Sequence, residues 1–169
     1  LSADRPVAIL SENSLEHLTL ALGAMWVGVP YAPISTAYSL VSKDYGKLRY
    51  IIESITPGLI FASHEAYAPA IAATAPVGAT LVMTQGQVPG RQVVSFDSLL
   101  ATAPGASGEA AHARVGPDTI AKFLFTSGST GMPKAVITTQ RMLCSNQQMV
   151  LQTLPFLADA PPRFVEWAP

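Results

Sequence analysis

Apolar residues in this chain fall into short unbroken runs that alternate with stretches of helical spacing. The run Pro6–Leu10, closed off by Ser11 and Asn13, suits a strand buried on both faces. Asn13 offers an N-cap with Glu16 three residues on. Leu15, Leu18, Leu22, Met25, Trp26 and Val29 then share one face of a 3.6-residue period, so a buried helix is expected up to Gly28 and Pro30. A proline-rich loop over 31–38 follows. Ser42 is placed to cap a second helix with Tyr45, Leu48, Ile51, Ile52 and Ile55 on its inner face, stopped by Pro57 and Gly58. Leu59-Ile60-Phe61 reads as a strand, Glu65–Ala75 as a helix and Thr80–Met83 as a strand. This βαβαβ order predicts an α/β fold, a parallel sheet flanked by helices.

Past Gln85 the chain turns rich in glycine, proline and alanine up to Pro117. An irregular connection is expected there, relieved only by Phe96, Leu99 and Leu100. Ile120–Phe125 is the next strand candidate, with a polar loop over Thr126–Gly131. Val136 and Ile137 make a brief apolar return, and a helix is expected over Arg141–Leu154, carrying Met142, Leu143, Met149, Val150 and Leu154. The closing run Phe164-Val165-Glu166-Trp167 resembles an element cut short. No internal repeat is visible, and residues 1–169 read as one incomplete domain.

Composition sharpens this picture. Apolar residues make up 49% of the chain and charged residues 12%, against a usual charged share of about 25%. So little charge implies apolar surface that a partner should cover. The net charge of -1 supplies no field for nucleic acid or an anionic membrane. Pro30 and Pro33 break the uncharged stretch 18–41 into a helix shorter than the about 20 residues a bilayer needs. The one cysteine, Cys144, excludes an internal disulfide and a cysteine metal cluster, and its apolar neighbours suggest a buried structural thiol. His17, His64 and His112 have no metal-ligand spacing and are expected as surface or capping residues. No metal site is expected within the chain.

The chemistry concentrates in Thr126-Ser127-Gly128-Ser129-Thr130-Gly131-Met132-Pro133-Lys134, where four hydroxyls, two glycines and a lysine occupy nine positions after a strand. Glycines let backbone N–H groups turn towards phosphate oxygens, hydroxyls add donors, and lysine supplies charge. A plain flexible Ser/Gly turn is the alternative. It is not a Walker loop, because Met132 and Pro133 separate Gly131 from Lys134 and no hydroxyl follows the lysine.

The eleven residues TSGSTGMPKAV, Thr126–Val136, closely resemble the signature loop of the acyl-adenylate-forming (AMP-binding) enzymes. That family includes acyl-CoA synthetases, luciferases and peptide-synthetase adenylation domains. The likeness extends through Val7–Ser35, and among members the chain looks most like the feruloyl-CoA synthetase type. Ala135 stands where glycine is usual and Gln140 where histidine is usual, neither of which removes a phosphate donor from the loop.

What the resemblance implies is an ATP-dependent acid–thiol ligase with ATP, Mg2+ and coenzyme A as cofactors or co-substrates. Its partner would be a small carboxylic acid, aromatic or otherwise hydrophobic; a cytoplasmic location is expected from the absence of a signal-like start, the single thiol and the need for ATP. Thr126, Ser127, Gly128, Ser129, Thr130, Gly131 and Lys134 would hold the nucleotide's phosphates. Thr130 would stand nearest the phosphate–metal cluster, and Lys134 would offset charge on the departing pyrophosphate. By the same resemblance the adenine pocket, metal-binding glutamate, ribose-binding aspartate and a catalytic lysine lie beyond Pro169, so this piece is not expected to complete adenylation alone. Two other readings stand beside it. One is a non-catalytic nucleotide- or phosphate-binding module or inactive remnant; the other is an amidase-type serine at Ser129, whose Ser-Lys partner is not evident.

Overall fold

The computed structural model describes residues 1–103, 105–127, 131–160 and 163. In chain order the elements are β1 (Val7–Leu10), α1 (Leu15–Trp26), β2 (Tyr31–Pro33), α2 (Ala37–Leu40), α3 (Gly46–Ile55) and β3 (Leu59–Ala62). A 3-10 turn, Glu65–Tyr67, leads into α4 (Ala68–Thr74). Then come β4 (Thr80–Met83), β5 (Val93–Ser95), α5 (Phe96–Leu100), α6 (Ala106–His112), β6 (Ile120–Ser127), β7 (Pro133–Thr139), α7 (Gln140–Thr153) and α8 (Phe156–Asp159).

The described strands form one seven-stranded sheet in the order β5-β4-β3-β1-β2-β6-β7. All neighbours are parallel except β7, which returns antiparallel to β6. The α/β expectation holds, with this one antiparallel edge added.

Because side chains alternate across a strand, β1 and β3 each feed two cores. Ala8, Leu10, Ile60 and Ala62 face the layer of α3 and α4, against Leu48, Ile51, Ile52 and Ile71. Val7, Ile9, Leu59 and Phe61 face the layer of α1 and α5, against Ala21, Ala24 and Phe96. Burying each of the larger side chains stabilises by roughly 1.5–3 kcal/mol, which is why these strands read as unbroken apolar runs.

Helix α3 buries the predicted face: Leu48, Ile51, Ile52 and Ile55 are all core residues. Ser42 acts one turn before the helix, its hydroxyl accepting from the Tyr45 amide.

Helix α1 departs from expectation twice. Its N-cap is Ser14, whose hydroxyl accepts from the His17 amide, rather than Asn13. Its buried residues are Ala21 and Ala24, whereas Leu15 is 80% exposed, Leu18 56%, Leu22 53% and Trp26 54%. Small residues let the helix axis approach the sheet closely, and that turns the large apolar stripe outward. The apolar surface foreshadowed by the low charge is therefore present, largely on α1 and on α7, where Met142, Met149 and Leu151 are also exposed.

The 85–117 stretch is more ordered than its composition suggests. Val93–Ser95 adds a parallel edge strand, registered Leu81↔Val93 and Met83↔Ser95, and α5 and α6 follow. Arg91 fixes this segment by donating to the carbonyls of Ala75, Pro76, Val77 and Ala79 at 3.0–3.4 Å. Likewise the brief return at Val136–Ile137 is a full seven-residue strand. The run Phe164–Trp167 lies outside the described residues.

Candidate functional site

Strand β6 continues two residues into the loop anticipated from the sequence, so Thr126 and Ser127 are strand residues paired with Lys134 and Pro133. The hairpin is set against the sheet by alternate side chains of β6. Ala121 is buried, and Phe123 and Phe125 pack on the α3-side core. On the opposite face Thr126 and Lys134 are direct cross-strand partners and so project to the same side. The Thr126 hydroxyl donates to the Lys134 carbonyl at 3.4 Å, tying the neck of the loop. Gly131 has φ 84°, with no atom of the described residues within 4 Å of where a Cβ would stand, a left-handed turn that glycine adopts without strain. Lys134 is exposed. Gly128, Ser129 and Thr130 lie outside the described residues, so the structure brings together Thr126, Ser127, Gly131 and Lys134 of the expected set.

Since β6 runs parallel to β1–β4, the loop emerges at the sheet's carboxyl edge, where open α/β sheets bind ligands. A second group of polar residues sits along that edge, at the ends of β1 and β3. The Ser63 hydroxyl donates to one Glu12 carboxylate oxygen at 3.0 Å, and His64 Nε2 lies 3.3 Å from the other. The Tyr67 and His64 rings are 4.9 Å apart. Slight burial pushes the Glu12 carboxyl up, but its own backbone amide, the nearby Tyr67 hydroxyl and the bonds from Ser63 and His64 outweigh this and hold it below its usual value. Burial and the neighbouring carboxylate push the Tyr67 hydroxyl well above its usual range.

His17 is no plain surface residue: it is half-buried, with Nδ1 3.0 Å from the Ser11 hydroxyl and 3.3 Å from the Glu12 carbonyl. Burial lowers its pKa, opposed by the bond to that carbonyl. The Glu12–Ser63–His64 group was not visible in the sequence because Glu12 lies about fifty positions from the other two; its signal was polar residues placed directly after a strand.

At the opposite end of the hairpin, the Gln140 amide nitrogen donates to the Met25 carbonyl at 3.3 Å. His112 Nδ1 donates to the Trp26 carbonyl at 2.9 Å, with the two rings stacked at 3.5 Å. A cavity of about 730 Å³ opens here, between α1 and α7, lined in part by Trp26, His112, Gln140 and Cys144. Cys144 is exposed, not buried as its apolar neighbours suggested, because α7 buries none of its residues.

The Thr126–Lys134 hairpin suits an anionic phosphate chain: a glycine at positive φ, a hydroxyl at the neck and one exposed ammonium beside it. Among the described residues no group of three or more His, Cys, Asp or Glu could hold a metal ion. Among those same residues, no helix is long and apolar enough to cross a membrane.

The AMP-binding enzyme family model matches residues 1–169, and the chain belongs to that family. Its fold is similar to apo MatB from Rhodopseudomonas palustris, with 26% identity and a TM-score of 0.63 over 92% of this chain and 28% of that one. ATP-bound MatB from the same organism gives 27% identity and a TM-score of 0.62, covering 92% and 29%. Among curated relatives, indigoidine synthase of Streptomyces lavendulae is 27% identical over 95% of this chain and 12% of its own length. Apicidin F synthase of Gibberella fujikuroi is 28% identical over 86% and 3%. The chain thus spans a small part of each.

Proposed function

We propose that this chain is the phosphate-binding part of an ATP-dependent ligase that activates a carboxylic acid as an acyl-adenylate and passes the acyl group to a thiol. One observation carries this reading: a glycine- and hydroxyl-rich loop, closed at its neck by Thr126 and Lys134, stands at the carboxyl edge of a parallel sheet beside an exposed lysine. In the first step a substrate carboxylate oxygen bonds to the α-phosphorus of ATP as the bond to pyrophosphate breaks. In the second a thiolate displaces AMP from the acyl carbon. The substrate supplies the nucleophile, so the chain's work is alignment and charge stabilisation.

In this reading backbone and hydroxyl groups of Ser127–Gly131 cradle the β- and γ-phosphates, with Thr126 at the neck. Thr130 stands nearest the metal-bearing phosphates, and Lys134 offsets charge on leaving pyrophosphate. Magnesium would arrive with the nucleotide. The acid is aromatic or hydrophobic, of the feruloyl type, the thiol is coenzyme A, and the location is cytoplasmic. What supports the ligase class is membership of the AMP-binding family and the likeness to MatB with ATP bound. The aromatic assignment rests on sequence likeness.

The test is ATP–pyrophosphate exchange by the complete polypeptide that carries this chain, over ferulate, coumarate, benzoate and medium-chain acids. Exchange that depends on ferulate or coumarate supports the full reading, and exchange with other acids keeps adenylation but removes the feruloyl assignment. A folded protein that exchanges with no acid would end both.

A further inference from the structure

We infer that Gln140 is a positioning residue for the Thr126–Lys134 loop, acting as a latch that fixes the angle of the β6–β7 hairpin through its bond to the Met25 carbonyl. The inference deepens the adenylation reading and rests on it.

The backbone ladder does not fix that angle well. β2 is only three residues long and meets β6 in the single register pair Tyr31↔Lys122. The hairpin ladder is itself irregular between Ile120 and Lys122, at the same base. Other ties must therefore hold the base, and several converge there. The Gln140 amide N–H donates to the Thr119 carbonyl at 3.0 Å and that of Arg141 to the Pro117 carbonyl at 2.8 Å. These bonds lie within the 117–141 unit. The Gln140 side chain instead crosses to the last turn of α1, the helix that leads through Gly28 into β2. His112, in α6 ahead of that unit, makes a parallel tie to the adjacent Trp26 carbonyl, so the segment leading into the unit is held to the same helix end.

Leverage gives this tie its reach. From the Ile120–Thr139 pair to the Ser127–Pro133 pair the hairpin is roughly 23 Å long at ~3.3 Å per residue, so a tilt of about 3° moves the tip by ~1 Å. A misplacement of about 1 Å in a substrate-positioning group can cost roughly a hundredfold in rate. The Phe123 and Phe125 contacts limit the tilt, which places the expected effect nearer tenfold.

The experiment compares the complete polypeptide with Gln140→Met, which keeps length but has no donor, and Gln140→His, whose ring N–H can donate. Exchange kinetics, melting midpoint and amide hydrogen exchange of β7 are read together. Gln140→Met should lower kcat/KM for ATP by about tenfold and leave the KM for the acid within about twofold. It should also speed amide exchange in residues 134–139, with Gln140→His recovering both. Unchanged ATP kinetics in Gln140→Met overturns the inference, as does an equal loss in both variants that tracks a fall in melting midpoint. If the unaltered protein exchanges with no acid, the adenylation reading fails separately. The latch is then judged by amide exchange alone, and unchanged protection of β7 in Gln140→Met overturns it.

Discussion

Thr126 and Lys134 are cross-strand partners whose side chains share a face, with the Thr126 hydroxyl bonded to the Lys134 carbonyl at 3.4 Å. The two ends of the glycine- and hydroxyl-rich loop are thereby held at strand-pair separation, and the lysine leaves the neck on the same side as the threonine. A flexible Ser/Gly turn would need no such closure. Residues either side of the loop are ordered by the sheet, so loop substitutions should act on the loop without unfolding the chain.

Two glycines separate conformational from steric cost. Gly131 sits at φ 84° with nothing among the described residues within 4 Å of a would-be Cβ, whereas at Gly86, φ 95°, that atom would stand 2.6 Å from the Glu65 Cβ. Gly131→Ala should cost about 1 kcal/mol, from the left-handed backbone alone. Gly86→Ala should cost more than about 2 kcal/mol, since strain and collision combine. Urea unfolding of both variants checks this, and equal losses would contradict it.

The inverted face of α1 is testable by exchanging sizes. Ala24 is 6% exposed against the sheet, and Leu18 is 56% exposed. Ala24→Leu should destabilise by about 1–3 kcal/mol through overpacking. Leu18→Gln should stay within about 0.5 kcal/mol in this chain. The opposite ranking in denaturant unfolding would restore the face expected from periodicity.

His17 should make stability rise with pH near neutrality. Burial holds its folded pKa below the ordinary 6.5, so between those values the unfolded chain binds more protons and protonation favours unfolding. The contribution is complete above 6.5 and is lost as pH falls through 6.5 towards the lower folded value. Glu12 acts in the same sense further down, its stabilisation being complete above 4.5 and lost as pH falls through its depressed value. His17→Asn should flatten the upper part of a stability–pH curve and leave the lower part in place. A curve with unchanged slope near neutrality would refute the assignment.

Much of this was legible in the sequence because local pattern and tertiary packing agree. The Leu48-Ile51-Ile52-Ile55 stripe predicts the face α3 buries, and the apolar runs at β1 and β3 predict strands covered on both sides. Where the two conflict, the reading failed. α1 has a large apolar stripe and a small-residue stripe, and close approach to the sheet selected Ala21 and Ala24. β5 is three residues among glycines and prolines, and it forms because β4 offers an edge and Arg91 anchors the approach. The Glu12–Ser63–His64 group was hidden because only the register Leu10↔Ala62 makes those residues neighbours. The Thr126–Lys134 loop stood out by the resemblance of its residues to the AMP-binding signature, since residue types alone left a plain Ser/Gly turn open, and its closure by strand pairing was not legible.

The most direct test of phosphate stabilisation by this loop is acid-dependent ATP–pyrophosphate exchange by the complete polypeptide, unaltered and with Lys134→Ala. Lys134 is exposed, and among the described residues its side chain supports no core, so the variant should melt with the unaltered protein. Exchange is expected to fall by at least about a hundredfold, the size of effect that follows loss of a group stabilising transition-state charge. Exchange at the unaltered rate in a folded Lys134→Ala protein would contradict the assignment of this loop to the departing pyrophosphate.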